Sequence, residues 1–137
     1  MALYLAFDYG SHRTGVALGD DLTGQARALG SMPGDDWTAI LGLVAQWRPA
    51  ALIVGLPLDE DGAEQPMSTA ARRFAAELGR RSGLPVHFAD ERYSSRAADD
   101  FLRDARASGH LTRRVRKGDR DAQAARVILQ QWLESRG

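Results

Sequence analysis

Three segments of the chain end or begin in carboxylates that could meet. Asp8 closes an apolar run, Leu3 to Phe7; Asp90 and Glu91 close another, Leu84 to Ala89; Asp121 stands at the head of the last amphipathic segment. Strand side chains alternate, so Leu3, Leu5 and Phe7 share one face, and Tyr4, Ala6 and Asp8 the other. Asp121 is in line with Ala125 and Ile128 at helical spacing, which turns it toward a packed face. Carboxylates gathered around one point repel each other unless cations fill the space between them. Cysteine is absent and His12, His87 and His110 are scattered, so hard, oxygen-preferring Mg²⁺ or Mn²⁺ suits the set best. Two such ions about 4 Å apart activate a water and stabilise the leaving oxygen of a phosphodiester, which is nuclease chemistry. Each acid alone has a plainer reading: Asp8 starting an Asx turn, Glu91 pairing with Arg92 in a turn, Asp121 matching a helix dipole at the surface. Convergence is what favours the metal centre.

Basic residues stand where such a centre would need them. Arg113, Arg114, Arg116, Lys117 and Arg120 precede Asp121, a cluster that neutralises backbone phosphates or simply forms a solvated loop. Arg13, in the turn after Asp8, is placed to hold a phosphate beside the metals. The net charge of zero hides a division: residues 1–71 sum to −6 and residues 72–137 to +6. Such asymmetry marks a nucleic-acid-facing side. No run of aromatics interleaved with basic residues suggests a base-stacking platform, so base-specific recognition is not expected.

The elements that position these groups follow from periodicity. Leu3–Asp8 and Val16–Gly19 read as a hairpin whose turn is bracketed by Gly10 and Gly15, and Thr23–Leu29 as a third strand. Asp35 or Asp36 caps a helix with the stripe Trp37, Ile40, Leu41, Val44 and Trp47, ended by Pro49. Ala50–Gly55 is a short buried strand. Pro66 opens a second helix with the stripe Met67, Ala70, Ala71, Phe74, Ala75 and Leu78, closed by Gly83. Leu84–Ala89 is the last strand. Ser94 or Ser95 caps a third helix through Ala105, residues 107–118 form a basic loop, and a final helix from near Asp119 buries Ala122, Ala125, Ile128, Leu129, Trp132 and Leu133. A meander followed by alternating helices and strands implies an α/β fold with a mixed sheet, antiparallel first and parallel later. Sites in such sheets gather beyond the carboxyl ends of the parallel strands.

The 137 residues suffice for one domain, taken as 1–137, with a substantial core. No stretch approaches the roughly 20 apolar residues of a spanning helix, and no membrane partner is expected. The lack of cysteine and of a secretory leader makes the cytoplasm the simplest location.

Four segments together resemble the YqgF family, also called RuvX, of RuvC-like Holliday junction resolvases. Phe7-Asp8-Tyr9-Gly10 with Arg13-Thr14-Gly15-Val16-Ala17 is similar to its opening motif, and Val54-Gly55-Leu56-Pro57-Leu58 with Gly62 to its second. Asp90-Glu91-Arg92-Tyr93-Ser94-Ser95 resembles the third, and Asp121-Ala122-Gln123-Ala124-Ala125 through Leu129 the last. Tyr93 departs from the aliphatic residue common there, and the 117–120 lead-in is more charged than usual. The resemblance implies an RNase H-like fold with a five-stranded mixed sheet, and phosphodiester hydrolysis by two Mg²⁺ or Mn²⁺ ions at Asp8, Glu91 and Asp121. Asp90 and Asp119 are neighbours rather than ligands. Arg13, Arg92, Arg113, Arg114, Arg116, Lys117 and Arg120 would bind nucleic acid. The expected substrate is branched DNA, cut as a Holliday junction resolvase; the alternative is the 5′ end of precursor 16S ribosomal RNA. Symmetric junction cutting needs two active sites and therefore a homodimer. Two rivals differ in class. A nucleotide-binding module of the actin-like ATPase type would build its site between two such domains, and a catalytically silent binding factor need not have kept all three acids.

Overall fold

The computed structural model describes residues 1–59, 61–90 and 117–136. At its centre is β1 (Leu3–Asp8), six residues whose alternation feeds both faces of a sheet. β2 (Arg13–Asp20) returns antiparallel to it, with Asp8 opposite Gly15 and Leu3 opposite Asp20. β3 (Ala26–Pro33) pairs antiparallel with β2, while β4 (Ala51–Leu56) runs parallel to β1 and β5 (Val86–Asp90) parallel to β4. The five-stranded order is β3-β2-β1-β4-β5, the mixed sheet expected from the element sequence.

Helices cover both faces. On one, Leu5, Phe7, Val16, Leu52 and Val54 pack under α1 (Trp37–Trp47) and α2 (Pro66–Ser82), which contribute Ile40, Phe74 and Leu78. On the other, Tyr4, Ala6, Ala17, Ile53 and Ala89 lie under α3 (Lys117–Arg136), which buries Ala125, Ile128, Leu129, Trp132 and Leu133. Alanines on that sheet face let α3 come close, and Tyr4 meets Trp132 edge-on with ring centroids 5.0 Å apart. Gln130 of α3 accepts the Ala26 N–H at 2.9 Å and donates to the Gly24 carbonyl at 2.8 Å, tying the helix to the β2–β3 connection.

Several boundaries differ from the sequence expectation, each for a local reason. β3 starts at Ala26 rather than Thr23, because the Asp20 carboxylate accepts from the Thr23 N–H at 2.7 Å and keeps that residue in the turn. It then runs on to Pro33, which an edge strand tolerates, and carries Leu29 as an extra residue beside Gly30, whose φ is 156°. Gly15 is not a turn residue: β2 begins at Arg13 and Gly15 lies within it. Asp36 is the cap of α1, accepting the Ala39 N–H at 3.2 Å. Met67 is exposed, and the buried side chain of that turn of α2 is Ser68, which donates to the Pro57 carbonyl. α3 begins at Lys117, so Lys117 and Gly118 are helical, and Asp121 sits in its second turn, beyond the reach of the terminal dipole. The helix expected over 94–105 and the loop expected over 107–116 lie outside the described residues.

Candidate active site

Asp8 projects from the carboxyl end of the central strand onto the face covered by α3, the side shared by Tyr4 and Ala6. Its neighbours across the sheet are small. Gly15 is its partner on β2, with Ser31 beyond it on β3; continuing the β1–β4 register one residue sets Gly55 on the other side, with Ala89 beyond it on β5. No large side chain in that row fills the space above the carboxylate.

Gly15 also decides where α3 sits. A Cβ at that position would land on the carbonyl oxygen of Asp121, with the Ala122 nitrogen close behind. Only a residue without a side chain lets the helix backbone rest on β2 there. Asp121 is thereby brought over the strand position that pairs with Asp8. Its Oδ2 is buried and has no hydrogen-bond partner among the described residues. The Arg13 Nε stands 3.8 Å from that oxygen, an ion pair without a hydrogen bond. Arg13 itself is held by Ser31, whose hydroxyl accepts from Nε at 3.0 Å and from Nη2 at 2.5 Å. Asp8, Asp121 and Arg13 thus converge on one face at one end of the sheet.

The remaining expected residues divide. Asp90 is exposed, and alternation from Ala89 turns it to the α2 side with Phe88, over whose ring Arg72 stands at 5.2 Å. Arg120 is exposed on α3, one residue before Asp121. Lys117 is the first residue of α3. Glu91, Arg92, Arg113, Arg114 and Arg116 lie outside the described residues. Among the described residues no three His, Asp or Glu side chains gather into a metal site.

Two features went unread in the sequence. Ser31 orients Arg13 from a strand whose register depends on the Gly30 bulge, and nothing in the spacing of residues 13 and 31 announces it. An aromatic stack also forms on the opposite face of the sheet, starting from the residue after Asp8, from Tyr9, Phe74 and Trp37, contributed by a loop and two helices. Only the fold brings them together.

The family model described as "RuvX: Holliday junction resolvase" matches residues 2–135. The chain belongs to the RuvX family. A relative from Burkholderia vietnamiensis, named "Putative pre-16S rRNA nuclease", is 48% identical over 97% of this chain and 89% of its own length. One of the same name from Cupriavidus necator is 45% identical over 95% of this chain and 86% of its own. In fold, this RuvX chain resembles Thermus thermophilus RuvC, solved in complex with a Holliday junction substrate, with a TM-score of 0.58 at 16% identity. That likeness covers 98% of this chain and 95% of that one. The yeast mitochondrial Holliday junction resolvase aligns with a TM-score of 0.53 at 11% identity, over 95% and 77%. The RuvX chain is thus of a nuclease family and has the RNase H-like fold of the RuvC-type resolvases. Both of these relatives by sequence carry the ribosomal RNA name, whereas the solved structures it resembles are junction resolvases.

Proposed function

We propose that this protein is a divalent-metal-dependent nuclease that trims the 5′ end of precursor 16S ribosomal RNA in the cytoplasm, acting as a single nuclease domain. The observation that carries the reading is the orphaned Oδ2 of Asp121, buried on the face that Asp8 enters. A buried carboxylate oxygen without a donor is costly unless a cation meets it. The donors are hard oxygens, which suits Mg²⁺ or Mn²⁺. Asp8, Glu91 and Asp121 would hold the metal, taken as two ions. Glu91 rather than Asp90 is the third ligand in this reading, because Asp90 belongs to the other face of β5.

When bound, the metal supplies an activated water and charge stabilisation at the leaving oxygen. Arg13, fixed by Ser31, binds the phosphate being cut and counters the acids around it. The glycines flanking Asp8 leave room for the sugar-phosphate backbone. Arg120, Lys117, Arg116, Arg114, Arg113 and Arg92 would bind phosphates to either side, making affinity dependent on salt.

The test is cleavage of two labelled substrates side by side, a precursor ribosomal RNA with its 5′ extension and a synthetic four-way DNA junction. Each is run with Mg²⁺, Mn²⁺ or EDTA, and Asp8→Asn serves as control. Metal-dependent shortening of the RNA, lost in Asp8→Asn, is the expected result. Paired symmetric nicks in the junction alone would instead make the protein a resolvase and require the homodimer. Binding without cutting would make it a silent binding factor.

A further inference from the structure

Asp8 and Tyr9 are consecutive, with Cα atoms about 3.8 Å apart, yet they serve different sides of the sheet. The Tyr9 ring stacks on Phe74 with centroids 4.6 Å apart and 24° between planes, and Phe74 stacks on Trp37 at 5.3 Å and 17°. Phe74 is buried in the middle, while Tyr9 and Trp37 are half-exposed. Arg81 covers the Trp37 indole at 4.8 Å, which leaves Tyr9 as the ring beside the acid site.

A recess of about 260 Å³ opens against this stack, lined by Tyr9, Phe74, Asp35, Arg73 and Glu77 among others. That is less than the roughly 300–1,000 Å³ of a pocket for a drug-sized ligand, and it suits one flat ring system. Its walls are aromatic, and its rim offers the Asp35 carboxylate, which accepts, and the Arg73 guanidinium, which donates, while the Glu77 carboxylate is held by Arg80 and Arg81. Such a rim complements the edge of a nucleobase. The recess is also locked to the catalytic turn. The Gly34 N–H donates to the His12 carbonyl at 3.0 Å, and the Thr14 hydroxyl donates to the Gly34 carbonyl at 2.5 Å. Asp35 and Trp37 are therefore anchored to the same β1–β2 connection that carries Asp8 and Arg13.

We infer that this recess takes an unpaired nucleobase of the substrate strand, stacked on Tyr9, close to the phosphate being cut. The inference rests on the nuclease reading above and adds a selection rule: the strand must be unpaired at that nucleotide. Splayed bases stacked on aromatic side chains are the usual handle on single-stranded RNA. Asp35 adds a preference for bases with an exocyclic amino group, adenine, cytosine or guanine, over uracil.

The experiment replaces the nucleotides around the cut, one at a time, by abasic ribose in a synthetic precursor RNA, and leaves the protein unaltered. One position is expected to lower kcat/KM by roughly 10- to 100-fold, the loss of one base–aromatic stack. Tyr9→Phe should keep that sensitivity and Tyr9→Leu should erase it. Uniform tolerance of abasic sites, or unchanged sensitivity in Tyr9→Leu, would overturn the inference. In parallel, the protein carrying 5-fluorotryptophan is titrated with the intact and abasic RNA, and the Trp37 ¹⁹F resonance, assigned by Trp→Phe replacements, is followed. A shift with the intact RNA that is absent with the abasic one supports the recess even if no cleavage occurs, in which case the nuclease reading alone fails. Cleavage with no differential shift of Trp37 leaves the nuclease reading standing and sinks the recess.

Discussion

The Oδ2 atom of Asp121 is buried without a hydrogen-bond partner, and the nearest cation in the described protein, Arg13, stands 3.8 Å away. An orphaned buried polar atom costs about 1–3 kcal/mol, whereas an ion pair to a side chain as open as Arg13 contributes about 0–1 kcal/mol. The first quantity is larger. Asp121→Ala removes both the charge and the orphaned atom and is expected to stabilise the chelator-treated protein by about 1 kcal/mol, seen as a higher urea midpoint, while cleavage is lost. A lower midpoint would show that the Arg13 pair outweighs the buried charge. Ser31→Ala probes the other side of this arrangement: Arg13 loses its anchor, so KM should rise several-fold while kcat moves little, and Ser31→Thr should restore it. At this scale the positions of two of the acids were legible, Asp8 from its place at a strand end and Asp121 from its register with Ala125 and Ile128, while Glu91 lies outside the described residues. The grip of Ser31 on Arg13 was not, since it needs two strands paired in a register that a bulge sets.

Elements meet most closely at Gly15, where the backbone of α3 rests on β2. Gly15→Ala places a methyl against backbone atoms that cannot rotate away, so α3 must lift. A loss at the upper end of the ~1–3 kcal/mol typical of overpacking is expected, checked by urea denaturation. Cleavage should fall with it, because Asp121 moves when the helix moves. The β2–β3 turn makes a separate prediction. Asp20 accepts from the Thr23 N–H at 2.7 Å and from its hydroxyl, and these bonds hold its carboxyl below the ordinary carboxylate range. A depressed folded pKa means the charged form favours the fold: that contribution is full above the unfolded pKa and fades as pH falls through the folded value. Asp20→Asn should therefore unfold at lower urea than the parent at pH 7, with the gap closing below about pH 4. The same turn explains why β3 was misplaced in sequence, where Thr23 reads as a strand residue and Gly30 and Pro33 do not. Helix stripes were easier, because a period near 3.6 sustained from Ala122 to Leu133 has no competing reading.

Across the whole molecule, the sheet order sets β1 between its neighbours, so the acid at its end is framed on both sides and buried strands support it. Along the sequence, the basic excess falls in residues 72–137. Arg116→Ala should weaken nucleic-acid binding about equally for every substrate and reduce the slope of log K against log salt by about 1. The mixed-sheet fold was readable from element order alone, because a meander followed by alternating helices and strands admits few topologies. The aromatic recess was not, since Tyr9, Trp37 and Phe74 have no shared period. The pairing of the first strand with the last helix has a consequence in time. A ribosome delivers Asp8 long before Asp121, so the two acids are joined only when α3 docks on the sheet. Until then the Tyr4, Ala6 and Ile53 face of the sheet lacks the cover of α3 and the carboxylates are apart. In the reading proposed above, the nuclease centre is therefore incomplete until α3 has docked.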